Sequence, residues 1–257
     1  NVDVNTRTRI EAVIPTSDDG YELAIRGDDP QTFDAVVIAT GGSSRKKTYQ
    51  WLTKLGHSIV DPVPSLFTFN FKEPIFEDLS GISVQNCSVT IEGTSFQHEG
   101  PILITHWGLS GPAVLKTSAW AARYLYEQNY RFHIKVNWLH PKNTNDVRAE
   151  LNSLREKNAK KIVRKQDQFE LPNRLWRRFL ELSKINAKKR WAELSNQDIH
   201  ELSTNITAGT YEIEGKTTYK EEFVTSGGIP LDEVNMGTME SQQSPNIYFA
   251  GEVLNID

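Results

Sequence analysis

Two short segments of the chain end a hydrophobic run in glycine, which suits close contact with a ligand. Residues 36–42 read Val-Val-Ile-Ala-Thr-Gly-Gly, and residues 247–252 read Ile-Tyr-Phe-Ala-Gly-Glu. Glycine has no side chain, so the backbone there can approach a bound molecule closely. The carboxylate of Glu252 can accept hydrogen bonds from sugar or ribityl hydroxyls. Alone, the first segment is equally well explained as an ordinary turn after a core strand. For the second segment alone, a strand that ends in a glycine turn with a solvated glutamate is the better explanation.

The two segments together predict a flavin site. They lie about 200 residues apart, in the order expected of a two-part flavin domain. In such a domain the first strand runs beneath the cofactor and the second brings an acid to the ribityl chain. Ligands of open α/β sheets lie beyond the carboxyl ends of the strands, which is where both segments end.

The chain resembles the bacterial FAD-dependent NAD(P)/FAD oxidoreductases of the aminoacetone-oxidase-like group, which includes bile-acid enone reductases. Four blocks of sequence carry this resemblance, and in order they span nearly the whole chain. They are Ala39-Thr40-Gly41-Gly42 with Leu55-Gly56-His57, the run Thr-His-Trp-Gly-Leu-Ser-Gly-Pro-Ala-Val-Leu at 105–115, Thr225-Ser226-Gly227-Gly228-Ile229, and Thr238-Met239-Glu240-Ser241 leading to the run Phe-Ala-Gly-Glu-Val-Leu-Asn-Ile-Asp at 249–257.

The resemblance implies an α/β fold: a partial Rossmann-like FAD-binding domain interrupted by an insert with a β-barrel part and a helical part. It implies an FAD cofactor, with the backbone of Arg9 or Ile10 near the adenine. The remaining residues that it assigns to the cofactor fall in the sequence blocks above: Ala39, Thr40, Gly41, Gly42, Thr225, Gly227, Gly228, Gly251, Glu252, Asn255 and Asp257.

Two departures from the family pattern bear on cofactor binding. The chain has no Gly-x-Gly-x-x-Gly, the fingerprint that holds a pyrophosphate at a helix N-terminus. Asn255 stands where the family usually has Asp. The chain also begins without Met, partway into what reads as a strand. We therefore expect an internal fragment that binds FAD weakly or not at all and is inactive alone.

His106 is the candidate catalytic residue. It precedes a predicted helix that opens with Ser110 as cap and Pro112 in the first turn. A helix N-terminus attracts anions, so this one could hold a substrate carboxylate or a nicotinamide phosphate beside His106 as proton donor. The alternative is a capped helix with a packing or surface histidine. The other histidines lack metal-ligand spacing, so no metal site is predicted.

The elements that must position these residues divide the chain into three predicted parts. Residues 1–64 and 225–257 form the partial FAD domain, with a strand at 33–40 buried on both faces and a helix at 47–55 ended by Gly56. Residues 65–141 and 204–224 form a β-rich, barrel-like part, including a strand at 204–213. Residues 142–203 are helical.

The helical segment differs in charge from the rest of the chain. Residues 142–203 hold 15 Lys and Arg against 9 Asp and Glu, a net of +6, within a chain of net charge −4. Interleaved acids and the acidic remainder favour a solvated helical face over nucleic-acid binding. The single Cys87 fits an inert buried thiol and a reducing cytoplasm.

The favoured function is hydride transfer through a flavin between NAD(P)H and a small organic substrate. A flavin-dependent amine or ketone oxidase is the nearest alternative. From another class, the chain could be a non-catalytic binding module whose basic helical face contacts nucleic acid. Sequence alone sets neither the substrate nor the oligomeric state.

Overall fold

A computed structural model describes residues 2–165, 169–217 and 224–256. The chain forms two compact units, the first comprising Asn1–Ser65 with Lys220–Asp257 and the second comprising Leu66–Tyr219. Each unit has its own hydrophobic core. In the part of the chain described here, no helix is both long and apolar enough to span a membrane.

The regular elements follow one another along the chain with strands at both ends and helices in the middle. The strands are β1 Ile10–Pro15, β2 Tyr21–Ile25, β3 Gln31–Phe33, β4 Val36–Ile38, β5 Val60–Ser65, β6 Thr68–Phe71, β7 Ser83–Ile91, β8 Gln97–Ile104, β9 Gly108–Ser110, β10 Arg131–Asn137, β11 Gly209–Thr217, β12 Val224–Gly228, β13 Val234–Asn235, β14 Glu240–Ser241 and β15 Ile247–Phe249. The α-helices are α1 Pro112–Trp120, α2 Ala122–Glu127, α3 Thr144–Lys157, α4 Asn173–Leu182 and α5 Asn196–Ala208.

The first unit contains three small sheets. Strands β1, β2 and β3 form an antiparallel meander, β5 pairs with β12, and four strands follow the order β13-β14-β15-β4. Only the β15–β4 pair in that third sheet is parallel. Among its described residues this unit has strands and three short 3₁₀ helices but no α-helix, so the expected parallel sheet between two layers of helices is not seen there.

Strand β4 was expected to be buried on both faces, and that expectation is wrong. Ile38 is 3% exposed, whereas Val37 is 66% exposed. Within the described residues β4 pairs only with β15, so it is an edge strand with one uncovered face. A continuous apolar run does not reveal whether both faces have a covering layer.

The second unit is built around a closed six-stranded barrel in the order β10-β11-β6-β9-β8-β7. Its interior is filled by alternating apolar side chains, as the alternation of buried and exposed residues along β10 illustrates. Trp138 joins this core to the helices, because its ring lies 5.6 Å from Phe76 and 5.9 Å from Phe179. The predicted barrel followed by helices is therefore confirmed.

Three local predictions are wrong. The helix expected over 47–55 is two short 3₁₀ helices, Lys46–Tyr49 and Leu52–Leu55, although Gly56 does end the second one in the left-handed conformation. Ser110 lies in β9 and does not cap α1, whose N-cap is Gly111. The strand expected from 204 begins only at Gly209, because Ile206 continues the buried face of α5 begun by Ile199 and Leu202.

Candidate cofactor site

The two glycine segments lie side by side in the first unit. Strands β4 and β15 run parallel with Phe249 opposite Ile38, and the amide of Ala250 donates to the carbonyl of Ile38 at 3.0 Å. Parallel strands end at the same edge of their sheet, so Ala39–Gly42 and Gly251–Glu252 leave that edge together. The register brings together two segments that the sequence separates by about 200 residues.

Gly41 and Gly251 are both required by the backbone conformation. Their φ angles are 71° and 77°, in the left-handed region where side chains are strained. A Cβ built on either residue would meet nothing within 4 Å. The backbone at both turns therefore faces open space, as a site for a large ligand requires.

Gly42 marks the point where three segments converge. A Cβ at Gly42 would come within 2.3 Å of the Thr225 hydroxyl oxygen and 2.8 Å of a Glu252 carboxylate oxygen. The first glycine segment, the β12 segment and the acid that follows β15 thus meet in one cluster. The absence of a side chain at Gly42 makes room for both oxygens.

The end of β12 packs closely against the residues that follow Glu252 and is hydrogen-bonded to them. Gly228 has a φ of 120°, and a Cβ there would lie 2.3 Å from the carbonyl oxygen of Val253. The amide of Ile229 donates to that same carbonyl at 2.9 Å, and the amide of Asn255 donates to Ile229 at 2.8 Å. Gly227 has a φ of 119°, and a Cβ there would lie 2.7 Å from the Cα atom of Pro62.

Three buried polar atoms in these segments have no hydrogen-bond partner among the described residues: Thr225 Oγ1, Ser226 Oγ and Asn255 Oδ1. Thr225 and Ser226 are each 1% exposed. Native proteins satisfy most buried polar groups, so the unsatisfied hydroxyl of Thr225, which lies next to Gly42, suits a polar ligand. The sequence did not indicate Ser226, because a serine between a threonine and two glycines reads as turn composition.

An apolar cavity of about 260 Å³ opens beside the first glycine segment. Ile10, Ala39 and Thr40 line it, together with Val37 and Trp51. Ile10 is thus brought next to the glycine segment. Arg9 is outside the lining, and its carbonyl accepts a hydrogen bond from the amide of Arg26 at 2.9 Å. Cofactor sites are mostly apolar with a few polar groups, and this cavity has that character.

His57 supports the strand that carries Gly251 and Glu252. Its ring is buried, with Nδ1 2.7 Å from Glu233 Oε2 and Nε2 2.9 Å from Ser241 Oγ. It also meets the ring of Phe249 edge-on at 4.9 Å. Burial acts to raise the pKa of Glu233, but hydrogen bonds from Ser58 and His57 outweigh it and the net pKa is lowered. His57 is therefore a structural residue, a role that the sequence block around it did not reveal.

The remaining candidate residues lie elsewhere. His106 is in the second unit, exposed in the turn between β8 and β9, where the amide of Thr105 donates to Gly108 at 2.9 Å. The start of α1 packs on β8, since a Cβ at Gly111 would lie 2.8 Å from the Pro101 carbonyl oxygen. Asp257 is outside the described residues.

The family described as HI0933-like protein barrel and H2TH domain matches residues 63–224. This chain belongs to that HI0933-like family. The matched stretch contains the closed barrel and the basic helices.

Three curated proteins are similar to the chain. A ribosomal RNA dihydrouridine synthase of Escherichia coli strain K12 is 28% identical over 263 residues, covering 98% of this chain and 62% of that protein. A 3-dehydro-bile acid delta(4,6)-reductase of Clostridium scindens is 27% identical over 266 residues, covering 100% and 64%. A ribosomal RNA dihydrouridine synthase of Haemophilus influenzae is 28% identical over 229 residues, covering 86% and 54%.

These relatives are enzymes, and the chain spans less than two thirds of the length of each. The bile-acid reductase agrees with the expected relationship to oxidoreductases. The two ribosomal RNA enzymes were not anticipated from the sequence.

Proposed function

We propose that the first unit supplies part of an FAD site in an enzyme that reduces a conjugated carbon–carbon double bond. The observation that carries this proposal is the convergence of Gly42, Thr225 and Glu252, where the buried hydroxyl of Thr225 has no partner among the described residues. Open backbone at Gly41 and Gly251 leaves room for the cofactor beside them. The similarity to a reductase and to two dihydrouridine synthases supports the reaction class.

Each residue of the cluster has a role in this proposal. Glu252 accepts hydrogen bonds from ribityl hydroxyls, because its exposed carboxylate has acceptor capacity on both oxygens. Thr225 directs its unsatisfied hydroxyl to a polar atom of the cofactor. The apolar cavity lined by Ile10, Ala39 and Thr40 accepts the flat adenine ring.

The names of the relatives point to one type of chemistry. Dihydrouridine is uridine with two hydrogens added across a ring double bond, and a delta(4,6)-reductase likewise removes unsaturation. FAD bound in the site would pass a hydride from NAD(P)H to one carbon of the double bond. The second carbon takes a proton, for which His106 is the candidate donor.

The cofactor proposal is tested by locating FAD binding along the chain. FAD is titrated into the protein while amide hydrogen exchange is followed by mass spectrometry. We expect weak binding that slows exchange at residues 39–42, 225–228 and 251–255, and we expect Glu252→Gln to weaken it. Glu22→Gln, an exchange on β2 outside the cluster, is the matched control. Unchanged exchange in all three segments at saturating FAD would refute the site.

Two substrate classes remain open within this reaction, a uracil base in RNA and a small enone. They are separated by following NADPH and NADH oxidation with FAD present and either a ribosomal RNA transcript or a steroid enone as acceptor. Formation of dihydrouridine supports the RNA class, and loss of the enone absorbance supports the small-molecule class. An oxidase would instead consume oxygen with an amine or ketone and need no NAD(P)H.

A further inference from the structure

Two stretches of the second unit are rich in basic residues and contain no acid. Residues 157–165 read Lys-Asn-Ala-Lys-Lys-Ile-Val-Arg-Lys, and residues 182–192 read Leu-Ser-Lys-Ile-Asn-Ala-Lys-Lys-Arg-Trp-Ala. The net charge of the whole helical segment, residues 142–203, does not reveal these two stretches, because the acidic residues of the segment all lie outside them.

The fold places these two stretches against each other. Ile162 and Arg190 form an antiparallel bridge. On either side of it the amide of Val163 donates to Lys189 at 3.0 Å, and the amide of Trp191 donates to Lys161 at 2.9 Å. Residues that are paired across antiparallel strands point to the same face. The side chains of Ile162 and Arg190 therefore share one face, and the bridge holds the two basic stretches side by side at the surface.

This surface rests on a rigid base. Val163 and Trp191 are 0% and 2% exposed and form the buried side of the bridge. The indole of Trp176 donates to the carbonyl of Val163 at 2.8 Å and stacks on Trp191 at 6.3 Å. A backbone held in this way loses little conformational freedom when a partner binds.

The charges on the surface are available to a partner. In the helical part of the described chain, ion pairs engage Lys142, Arg178 and Lys189. No ion pair is found there for five exposed residues that we name the basic patch: Lys160, Lys161, Arg164, Lys188 and Arg190. Exposed Ile162 lies among them and is 53% accessible.

A polar cleft extends the positive surface along the helices. It has a volume of about 520 Å³ and lies between α3 and α5, with Arg148 and Arg155 in its lining. Arg155 donates to the carbonyl of Leu194 at 3.1 Å and to Asn196 Oδ1 at 3.0 Å. Leu194 follows the bridge residue Arg190 by four positions, so Arg155 connects the cleft to the chain segment that follows the bridge. Glu156 is the acid in the cleft lining.

We propose that the basic patch binds the phosphate backbone of RNA, a partner class that rests on the RNA branch of the proposed function. Lys and Arg side chains neutralise phosphates and release counterions, which makes such binding strong at low salt and independent of sequence. The residues outside 142–203 carry a net charge of −10 and repel a polyanion, so attraction is confined to this surface.

The experiment measures fluorescence anisotropy of a labelled 30-base-pair RNA hairpin at several salt concentrations. We expect the double variant with Lys161→Gln and Arg190→Gln to bind the hairpin about tenfold more weakly or worse. The slope of log K against the logarithm of the salt concentration should fall in magnitude by about two, one for each lost phosphate contact. The control is Lys116→Gln with Lys135→Gln, which removes the same charge from exposed positions on α1 and β10. Thermal melting of both double variants verifies that they fold.

Three outcomes would overturn the proposal. The patch variant could bind the hairpin as tightly as its control. The protein could bind heparin with the same affinity and salt slope as RNA, which would indicate a general polyanion surface. It could bind vesicles of phosphatidylserine and phosphatidylcholine more tightly than RNA. FAD binding is measured separately in the first unit, so an unaltered protein that binds FAD but not the RNA hairpin rejects this inference alone.

Discussion

The hydroxyl of Thr225 occupies the space that a side chain at Gly42 would need, with a hypothetical Cβ of Gly42 only 2.3 Å from Thr225 Oγ1. Gly42 belongs to the first glycine segment, whereas Thr225 belongs to the strand that returns to the first unit. The contact makes the packing of one segment depend on the position of the other.

Substituting Gly42 by Ala should therefore lower the free energy of unfolding by about 1–3 kcal/mol, the usual cost of overpacking. Urea denaturation measures this change. Adding Thr225→Gly should recover part of the loss, because it removes the oxygen that the new methyl group strikes. Gly41→Ala is the control, since its Cβ meets open space and its cost comes only from a positive φ. Strict additivity of Gly42→Ala and Thr225→Gly would contradict the contact.

Thr225→Val should weaken FAD binding without lowering the stability of the fold. Valine keeps the shape of threonine and removes a buried hydroxyl that has no partner among the described residues, so unfolding free energy should stay level or rise. FAD affinity should fall by roughly two- to tenfold, the value of one hydrogen bond. Thr117→Val is the matched control, because that hydroxyl donates to Ala113 at 2.8 Å and its loss should destabilise. A drop in stability with unchanged FAD affinity would count against the role of Thr225.

Glu233 should make the first unit sensitive to acid. Its lowered pKa means that the folded state favours the carboxylate. The resulting stabilisation is present above the ordinary glutamate pKa of 4.5 and is lost as pH falls through the lower folded value. Urea unfolding across this range should show a smaller loss for Glu233→Gln than for the unaltered protein. The control is Glu127→Gln, which alters an exposed glutamate of the second unit. If the unfolding free energies of Glu233→Gln, Glu127→Gln and the unaltered protein all change with pH in the same way, the prediction is wrong.

Cys87 should be inert in the folded protein. It is buried in the barrel, and burial raises the pKa of its thiol to about 12. Because the thiolate is the reactive form, the native protein should not react with Ellman's reagent at pH 8, and one thiol should appear in urea. Rapid reaction of the native protein would show that the barrel opens readily.

His106→Ala should lower turnover by about 10²-fold or more if the imidazole donates the proton, without changing FAD affinity. Its exposed position in a turn predicts little effect on stability. Reductive turnover is measured in the full-length enzyme and compared with that of His133→Ala, which alters an exposed histidine on β10. Equal turnover of the two variants would remove His106 from the mechanism.

Local patterns predicted much of the second unit. Strands β6 to β10 lie within the stretch 65–141 that was predicted to be β-rich, and α3, α4 and α5 begin within the stretch 142–203 that was predicted to be helical. Composition failed where tertiary packing decided the outcome. Thr204 to Thr207 contains β-branched residues but remains helical, because Ile206 is fully buried beside the rest of α5.

The candidate site was predictable in its parts but not in its packing. Gly41 and Gly251 were indicated by their position after hydrophobic runs. Their side-by-side placement required the parallel pairing of β4 with β15, which is a long-range contact. The basic patch was missed for the same reason, because a net charge along the sequence cannot show that Ile162 pairs with Arg190.

The pairing of β5 with β12 also bears on the order in which the protein is made. Val224 pairs with Ser65 and Thr225 with Pro64, so the two paired strands flank the residues of the second unit in the sequence. During synthesis, Gly42 leaves the ribosome about 180 residues before Thr225, and closing so long a loop delays the contact. The barrel and helices can fold before the segment that contains Thr225 is available to pack against the segment that contains Gly42. Ligand binding should therefore be one of the last properties that a newly made chain acquires.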